Sequence, residues 1–157
     1  MEKVQTANKY DCIRLGNQLC FSLYACAKEI VRLYRRPLEA LGLTYTQYVV
    51  MMVLWEHGQM TEGELGKIVR LDSGTLAPLL KRLEKQGYVN RERLCSNERK
   101  LFLSLTETGK SLKDKAVNVP MSMQGCIDLP EEELFELKRL LDKALIQMET
   151  KQQGEYL

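Results

Sequence analysis

The chain has 157 residues, of which 45% are hydrophobic and 28% are charged, and its formal net charge is only +2. This length and composition suit one domain with a core of its own. No apolar run approaches the roughly 20 residues of a membrane span, which argues against a membrane-spanning protein. Since the N-terminal segment also lacks the apolar stretch of a signal peptide, we expect a cytoplasmic protein.

The cysteines and the histidine argue against a metal site and a structural disulfide scaffold. The chain contains five cysteines, which are Cys12, Cys20, Cys26, Cys95 and Cys126. Their number is odd, and none of them has the paired C-x-x-C spacing of a zinc site. The only histidine, His57, precedes Gly58 and suits a helix end, where a cation interacts favourably with the helix dipole. We therefore expect no disulfide scaffold, no metal and no cofactor.

Two helices are predicted in the first third of the chain. The first covers Asn17 to Leu41, because apolar residues recur there close to the 3.6 period of a helix and Gly42 supplies a terminating residue. The second is capped by Thr44 or Thr46 and runs through His57. This second helix is too apolar on every side to be exposed, so we expect it to be the buried central helix.

The next segment predicts a helix-turn-helix. Thr61-Glu-Gly-Glu64 is a capping box, so a short third helix is expected from Glu62 to about Val69. Asp72 or Ser73 can cap a fourth helix, which Gly87 ends. The leucines of this fourth helix fall on one stripe and its polar residues on the other faces. One side of the helix can therefore pack while another meets a duplex.

A β-hairpin is predicted after the fourth helix. Val89 to Leu94 and Arg99 to Leu105 alternate between apolar and polar residues, and Cys95-Ser-Asn-Glu98 forms the tip between them. Between Leu71 and Lys100 there are seven basic and four acidic residues, a local charge of +3. The basic charge of the chain is therefore concentrated here, as binding to phosphates requires. The segment has the outline of a winged helix-turn-helix.

The candidate DNA-binding residues lie on the fourth helix and on the hairpin. They are Ser73, Thr75, Pro78, Lys81, Arg82, Arg91, Arg93 and Arg99. An ordinary solvated face explains any one of them, but the combination of a polar helix face with a basic wing favours DNA. We expect the wing arginines to meet the backbone and the start of the helix to meet bases. Arg99 can alternatively pair with Glu98 or Asp72 and brace the wing.

Two further helices complete the prediction. Thr106 can cap a fifth helix from Glu107 to roughly Gln124, and Pro130 suits the first position of a sixth. The apolar stripe of the sixth helix and that of the first exceed what a small winged helix needs to close its core. We read the surplus as a homodimer interface.

The predicted fold class is therefore mainly α with a small β-wing. One domain covers residues 1–157, with a winged helix-turn-helix at 61–105. The dimerisation helices lie at 17–41 and 107–150.

Several motifs occur in the order found in the MarR family of transcriptional regulators, and the match extends over nearly the whole chain. The motifs that resemble this family are Asp72-Ser-Gly-Thr-Leu76, Asn97-Glu-Arg99 and Leu105-Thr-Glu-Thr-Gly109. The segments Asn17 to Tyr24, Gly42 to Tyr48, Leu54 to His57 and Leu71 to Leu76 look like the organic-hydroperoxide-sensing branch, the OhrR-type repressors. The resemblance implies a homodimer that occupies a pseudo-palindromic DNA operator until an organic hydroperoxide oxidises it.

The same resemblance implies which residues sense the oxidant. Cys20 stands at the position of the reactive cysteine, and Tyr34 and Tyr45 match two tyrosines that are placed beside that thiol across the dimer. Cys126 follows the fifth helix, where two-cysteine members carry the resolving thiol. The chemistry is reasonable, because a phenol that donates a hydrogen bond to sulfur favours the thiolate, and the thiolate attacks peroxides to give a sulfenic acid.

Three other functions remain compatible with the sequence. A MarR-type regulator released by a small phenolic ligand, with Cys20 inert, would bind its operator regardless of oxidation. A thiol peroxidase with Cys20 as nucleophile would turn over peroxide, but the basic wing and the lack of a recognisable catalytic scaffold argue against an enzyme. A winged-helix protein-interaction module would show no salt-dependent binding to duplex DNA.

Overall fold

The computed structural model describes residues 9–93 and 101–154, with side chains as far as residue 150. Its helices are α1 (Leu19–Glu39), α2 (Tyr45–His57), α3 (Glu62–Val69), α4 (Ser73–Lys85), α5 (Glu107–Ala116), α6 (Asn118–Ser122) and α7 (Glu131–Gly154). Its strands are β1 (Met60–Thr61), β2 (Val89–Arg93) and β3 (Leu101–Leu105). The chain divides into two compact units, residues 1–123 and 124–157, so that α7 belongs to the second. Within the described ranges, no helix has both the length and the apolar character needed to cross a membrane.

The helix starts that we predicted from capping residues are confirmed. Thr44 caps α2 and forms a capping box with Gln47, in which each side chain accepts the backbone N–H of the other. Thr61 begins α3 with a second capping box. Asp72 caps α4 and Thr106 caps α5, each accepting a backbone N–H from the first turn. The helix-turn-helix therefore has the predicted order and starting points.

The hairpin forms one side of a three-stranded antiparallel sheet with the order β1-β3-β2. Leu103 lies opposite Arg91 on β2 and opposite Met60 on β1, and its side chain is completely buried. The sequence pattern did not reveal β1, because two residues are too few to show an alternation. The winged helix-turn-helix of mainly α character is nevertheless as predicted.

The core of the first unit lies between α2, α3, α4 and the sheet. Its fully buried side chains include Leu54 on α2, Leu65 on α3, and Leu76, Leu80 and Leu83 on α4. The three α4 leucines form the predicted buried stripe. Their burial leaves the opposite side of α4 in solvent.

Three predicted helix boundaries differ from the structure. The first helix begins at Leu19 rather than Asn17, after two short 3-10 turns, and ends at Glu39. The predicted fifth helix is divided into α5 and α6, because Pro120 has no N–H to donate to the carbonyl of Ala116 and its ring crowds that carbonyl. Pro130 lies just before α7, where its carbonyl accepts the N–H of Leu134 at 3.1 Å, and is not the first helical residue.

Gly109 is the position where a substitution should damage the fold most directly. A β-carbon built there would overlap the carbonyl oxygen of Tyr88, because the first turn of α5 packs on that backbone. We expect Gly109→Ala to lower the free energy of unfolding by about 3 kcal/mol, measured by chemical denaturation. The matched control is Gly63→Ala on α3, where nothing lies within 4 Å of the added carbon. This control should be more stable than the parent by about 0.5–1 kcal/mol, and equal stability of the two variants would contradict the prediction.

Candidate functional site

The outward face of α4 is polar and basic. Thr75, Pro78, Lys81 and Arg82 are exposed, and at about 100° per residue they lie opposite the buried leucine stripe. Ser73 is also exposed, but the same geometry places it beside the buried stripe and away from the other four. The structure therefore brings together most of the DNA-binding residues that we predicted on this helix.

The first turn of α4 is held by a carboxylate. Asp72 Oδ1 accepts the backbone N–H of Thr75 at 2.9 Å, and Asp72 Oδ2 accepts the Thr75 hydroxyl at 3.0 Å. These two hydrogen bonds hold the pKa of the Asp72 carboxyl below its ordinary value. The cap is therefore charged at neutral pH. The Thr75 hydroxyl oxygen retains its capacity to accept a hydrogen bond from a base.

The wing arginines differ in their surroundings. The Arg91 side chain is only 15% exposed, and its Nη1 donates to Glu84 Oε2 on α4 at 3.2 Å. Arg91 therefore braces the wing against α4, the recognition helix of the predicted helix-turn-helix. Sequence reasoning did not foresee this contact. Arg93 is exposed at the end of β2. Arg99, with the wing tip that includes Cys95, lies outside the described residues.

An aromatic cluster lies where α1 packs on α2. The rings of Tyr34 and Tyr45 meet edge to face with centroids 5.1 Å apart, and the Tyr48 ring is 6.1 Å from that of Tyr34. Tyr48 is buried, and burial, followed by the charges of Tyr34 and Tyr45, raises the pKa of its phenol. The sequence predicts Tyr48 only as part of the buried second helix. Its spacing of three residues from Tyr45 on the same helix was the signal that places it in this cluster.

The structure does not bring Cys20 to these tyrosines. Cys20 is exposed at the second position of α1, and Tyr34 lies fourteen residues later on the same helix. At 1.5 Å per residue the two positions are about 21 Å apart along the axis. One chain therefore cannot place Tyr34 beside its own Cys20.

The other described cysteines are Cys12, Cys26 and Cys126, and all three are exposed. Cys126 lies in the turn between α6 and α7, within the second unit. The described residues contain no group of three or more His, Cys, Asp or Glu arranged to hold a metal ion.

Comparison with known proteins places the chain in a family. The protein-family model for the transcriptional regulators SarA/Rot matches residues 32–116, more than half of the chain. The chain belongs to the MarR/SarA family of transcriptional regulators. The resemblance drawn from the sequence motifs is confirmed. Members of this family are regulators rather than enzymes.

Individual members of the family are similar over most of their length. The organic hydroperoxide resistance transcriptional regulator of Bacillus subtilis strain 168 is 45% identical over 134 residues, which are 85% of this chain and 91% of that protein. Several solved structures of AbfR, one of them from Staphylococcus epidermidis, are similar to the chain, and they include the reduced and the overoxidized forms bound to DNA and a disulfide form. The reduced form bound to DNA is 36% identical with a TM-score of 0.74, covering 89% of this chain and 97% of AbfR. The disulfide form is 37% identical with a TM-score of 0.61, and the match covers 88% of this chain and 96% of AbfR.

Proposed function

We propose that the chain is a redox-sensing transcriptional repressor that binds a pseudo-palindromic operator as a homodimer and is released when an organic hydroperoxide oxidises Cys20. The observation that carries the proposal is the similarity to AbfR, which has been solved both reduced on DNA and with a disulfide formed. The name of the Bacillus subtilis relative supports an organic hydroperoxide as the oxidant. Cys20 supplies an exposed thiol for this chemistry.

The exposed apolar surface of two helices supports a homodimer. Leu38 is the only fully buried residue of α1, whereas Leu19 is 75% exposed. On α7, Phe135 is 72% and Ile146 62% exposed. Large apolar side chains in such numbers mark an interaction surface, and a second copy of the chain covers them by two-fold symmetry. The segments 17–41 and 107–150 thus supply the dimer interface in this proposal.

The dimer also completes the sensing site. Because one α1 helix separates Cys20 from Tyr34 by about 21 Å, the thiol meets a tyrosine pair only if the pair comes from the other subunit. In the proposed dimer, Tyr34 of the partner subunit and Tyr45 of the partner subunit lie beside Cys20. A phenol O–H that donates to sulfur favours the thiolate over the thiol. Tyr48 packs against Tyr34, with the ring centroids 6.1 Å apart.

The proposed reaction consumes one peroxide per thiol. The Cys20 thiolate attacks the terminal oxygen of the hydroperoxide, an S–O bond forms, the O–O bond breaks, and the alkoxide leaves as an alcohol after taking a proton. Sulfur is oxidised by two electrons and the peroxide is reduced. The thiol of Cys126 then attacks the sulfenic acid, an S–S bond forms, and water leaves.

The DNA side of the proposal uses α4 and the wing. Ser73, Thr75 and Pro78 lie in the first two turns of α4 and approach base edges, whereas Lys81 and Arg82 approach phosphates. In a homodimer the two recognition helices read half-sites whose centres are about 34 Å apart, or a multiple of that distance. The operator should therefore show two-fold symmetry.

Arg93 should contribute one phosphate contact per subunit. We expect Arg93→Ala to weaken binding to operator and random duplexes alike, and to lower the slope of log affinity against log salt by about one unit per subunit, or about two units for the bound dimer. Binding is measured by fluorescence anisotropy at several salt concentrations. Arg91→Ala is the matched comparison, because the half-buried Arg91 pairs with Glu84: it should lower thermal stability but leave the salt slope unchanged. An unchanged slope in Arg93→Ala would remove Arg93 from the interface.

The decisive experiment is a gel-shift titration of the reduced protein on the DNA upstream of its own gene, with and without cumene hydroperoxide. The proposal is supported if the shifted protein–DNA band is present without peroxide, is lost with peroxide and returns after dithiothreitol. Binding that peroxide leaves unchanged but a phenolic ligand releases would establish the ligand-regulated alternative. Steady consumption of peroxide with a thiol reductant would establish a peroxidase.

A further inference from the structure

The turn between α1 and α2 is joined to the end of the recognition helix by two side-chain amides. Gln47 on α2 is a buried polar residue, 5% exposed, and its Oε1 accepts the N–H of Thr44 at 2.9 Å. Its Nε2 donates to Gln86 Oε1 at 3.2 Å. Gln86, which directly follows α4, donates from Nε2 to the carbonyl of Gly42 at 2.8 Å. Three hydrogen bonds therefore run from the turn to α4 and back.

The direction of these hydrogen bonds is fixed. Each amide uses its oxygen as acceptor and its nitrogen as donor, so neither can rotate by half a turn without losing bonds at both ends. A cavity of about 350 Å³ opens at the same place, and the residues that line it are polar, charged or glycine. Hydrogen bonds rather than apolar packing therefore hold α4 to the turn at this point. Tyr88 adds a parallel link, since its hydroxyl donates to the carbonyl of Leu41 at 3.3 Å.

The same turn separates Tyr34 from Tyr45 and Tyr48, the other two tyrosines of the aromatic cluster. Tyr34 lies on α1 before the turn, and Tyr45 is the first residue of α2 after it. Gln47 is in the same helical turn as Tyr45, and its capping box with Thr44 holds that turn together. A displacement of the tyrosine rings is therefore transmitted to Gln47 through one rigid turn of helix.

We propose that Gln47 and Gln86 are positioning residues that couple the α1–α2 turn to the recognition helix, so that the state of the tyrosine pair sets the affinity for DNA. The proposal rests on the proposed function for the identity of the signal. The coupling itself can be measured without that signal. Because coupling between two sites is reciprocal, DNA bound to α4 must also act on the turn.

The first test measures that reverse effect by hydrogen exchange. In the reduced parent protein, the upstream duplex used for the gel shift should slow exchange of amides in residues 40–47. Gln86→Ala removes both bonds of Gln86 but leaves the α2 capping box intact, and it should lose most of this protection. Gln86→Glu still accepts a hydrogen bond from Gln47 but cannot donate one to Gly42, so it should lose part of the protection that DNA gives to residues 40–47. Gln59→Ala, an exposed glutamine beyond α2, is the matched control and should behave as the parent does.

The second test measures the ratio of operator affinities in reduced and peroxide-treated protein. We expect Gln86→Ala to shrink this ratio by about fivefold relative to the parent, Gln86→Glu to be intermediate, and Gln59→Ala to be unchanged. Thermal unfolding identifies any variant that fails to fold. The proposal would be overturned if a folded Gln86 variant kept both the parent's ratio of operator affinities and the parent's protection of residues 40–47 from exchange. If the parent itself does not respond to peroxide, the proposed function fails, and the exchange experiment alone decides whether the coupling exists.

Discussion

Cys20→Ser should bind the operator as tightly as the parent protein and stay bound at a concentration of cumene hydroperoxide that releases the parent. The hydroxyl of serine is close in size to a thiol, so the reduced geometry of α1 is kept, but an alcohol cannot be oxidised to a sulfenic acid. We expect the parent to lose at least about tenfold in affinity on oxidation and the variant to change by less than about twofold. Fluorescence anisotropy with a labelled duplex measures both.

Cys26→Ser is the matched control for this result. Cys26 is also exposed on α1, but it lies six residues after Cys20 and therefore about 240° around the helix axis. It should respond to peroxide as the parent does. Release of Cys20→Ser at the parental dose would show that another group senses the oxidant. If peroxide instead fails to release Cys26→Ser from the operator, the sensing thiol is Cys26.

The elements that the sequence predicted best are those decided within a few residues. Thr44, Thr61, Asp72 and Thr106 each cap a helix by accepting a backbone N–H from the turn that follows, so the signal and its consequence are adjacent in the chain. The leucine stripe of α4 is predictable for a similar reason, because helical periodicity alone places its residues on one side. The order of the helix-turn-helix and the wing follows from these local signals.

Most of the features that were missed depend on how one element packs against another rather than on a pattern within one element. Arg91 looks like any other basic residue of the hairpin, and only the packing of β2 against α4 turns its side chain to Glu84. Tyr48 joins the aromatic cluster because α1 packs on α2 there. The break at Pro120 is different, since the missing N–H of a proline is a local signal that the predicted long fifth helix should have taken into account.

The sensing site shows a further limit of sequence reasoning. The family resemblance pointed to Cys20, Tyr34 and Tyr45 and implied that they meet across a dimer, but the motifs alone give no physical reason for that arrangement. The length of α1 supplies the reason, because it holds Cys20 about 21 Å from Tyr34. The redox site and the dimer are therefore a single proposal, and a protein that remains monomeric at micromolar concentration would contradict both.

Oxidised parent protein should run as a dimer on non-reducing gels and as a monomer after dithiothreitol, whereas Cys126→Ser should remain monomeric after the same treatment. The resolving thiol in this proposal is Cys126 of the other subunit, so that removal of its sulfur leaves the Cys20 sulfenic acid without a partner for a crosslink. The exposed position of Cys126 in the turn before α7 makes its thiol accessible for the reaction. Cys12→Ser, at another exposed thiol, is the matched control and should crosslink as the parent does.

The same variant separates two ways of keeping the regulator off DNA. In the proposed switch, a disulfide between subunits holds the paired recognition helices away from their half-site spacing and lasts until a reductant breaks it. In Cys126→Ser, the sulfenic acid instead condenses with a small thiol to give a mixed disulfide and water, and a second molecule of that thiol then frees the Cys20 thiol as the small-thiol disulfide forms. We therefore expect release from the operator to be shorter-lived in the variant when peroxide is removed and both proteins are given the same low concentration of glutathione. If Cys126→Ser crosslinks as readily as the parent, another cysteine forms the crosslink and Cys126 has no part in the switch. If mass spectrometry of the oxidised parent finds Cys20 joined only to a small thiol, Cys126 is likewise excluded and the protein signals through a mixed disulfide.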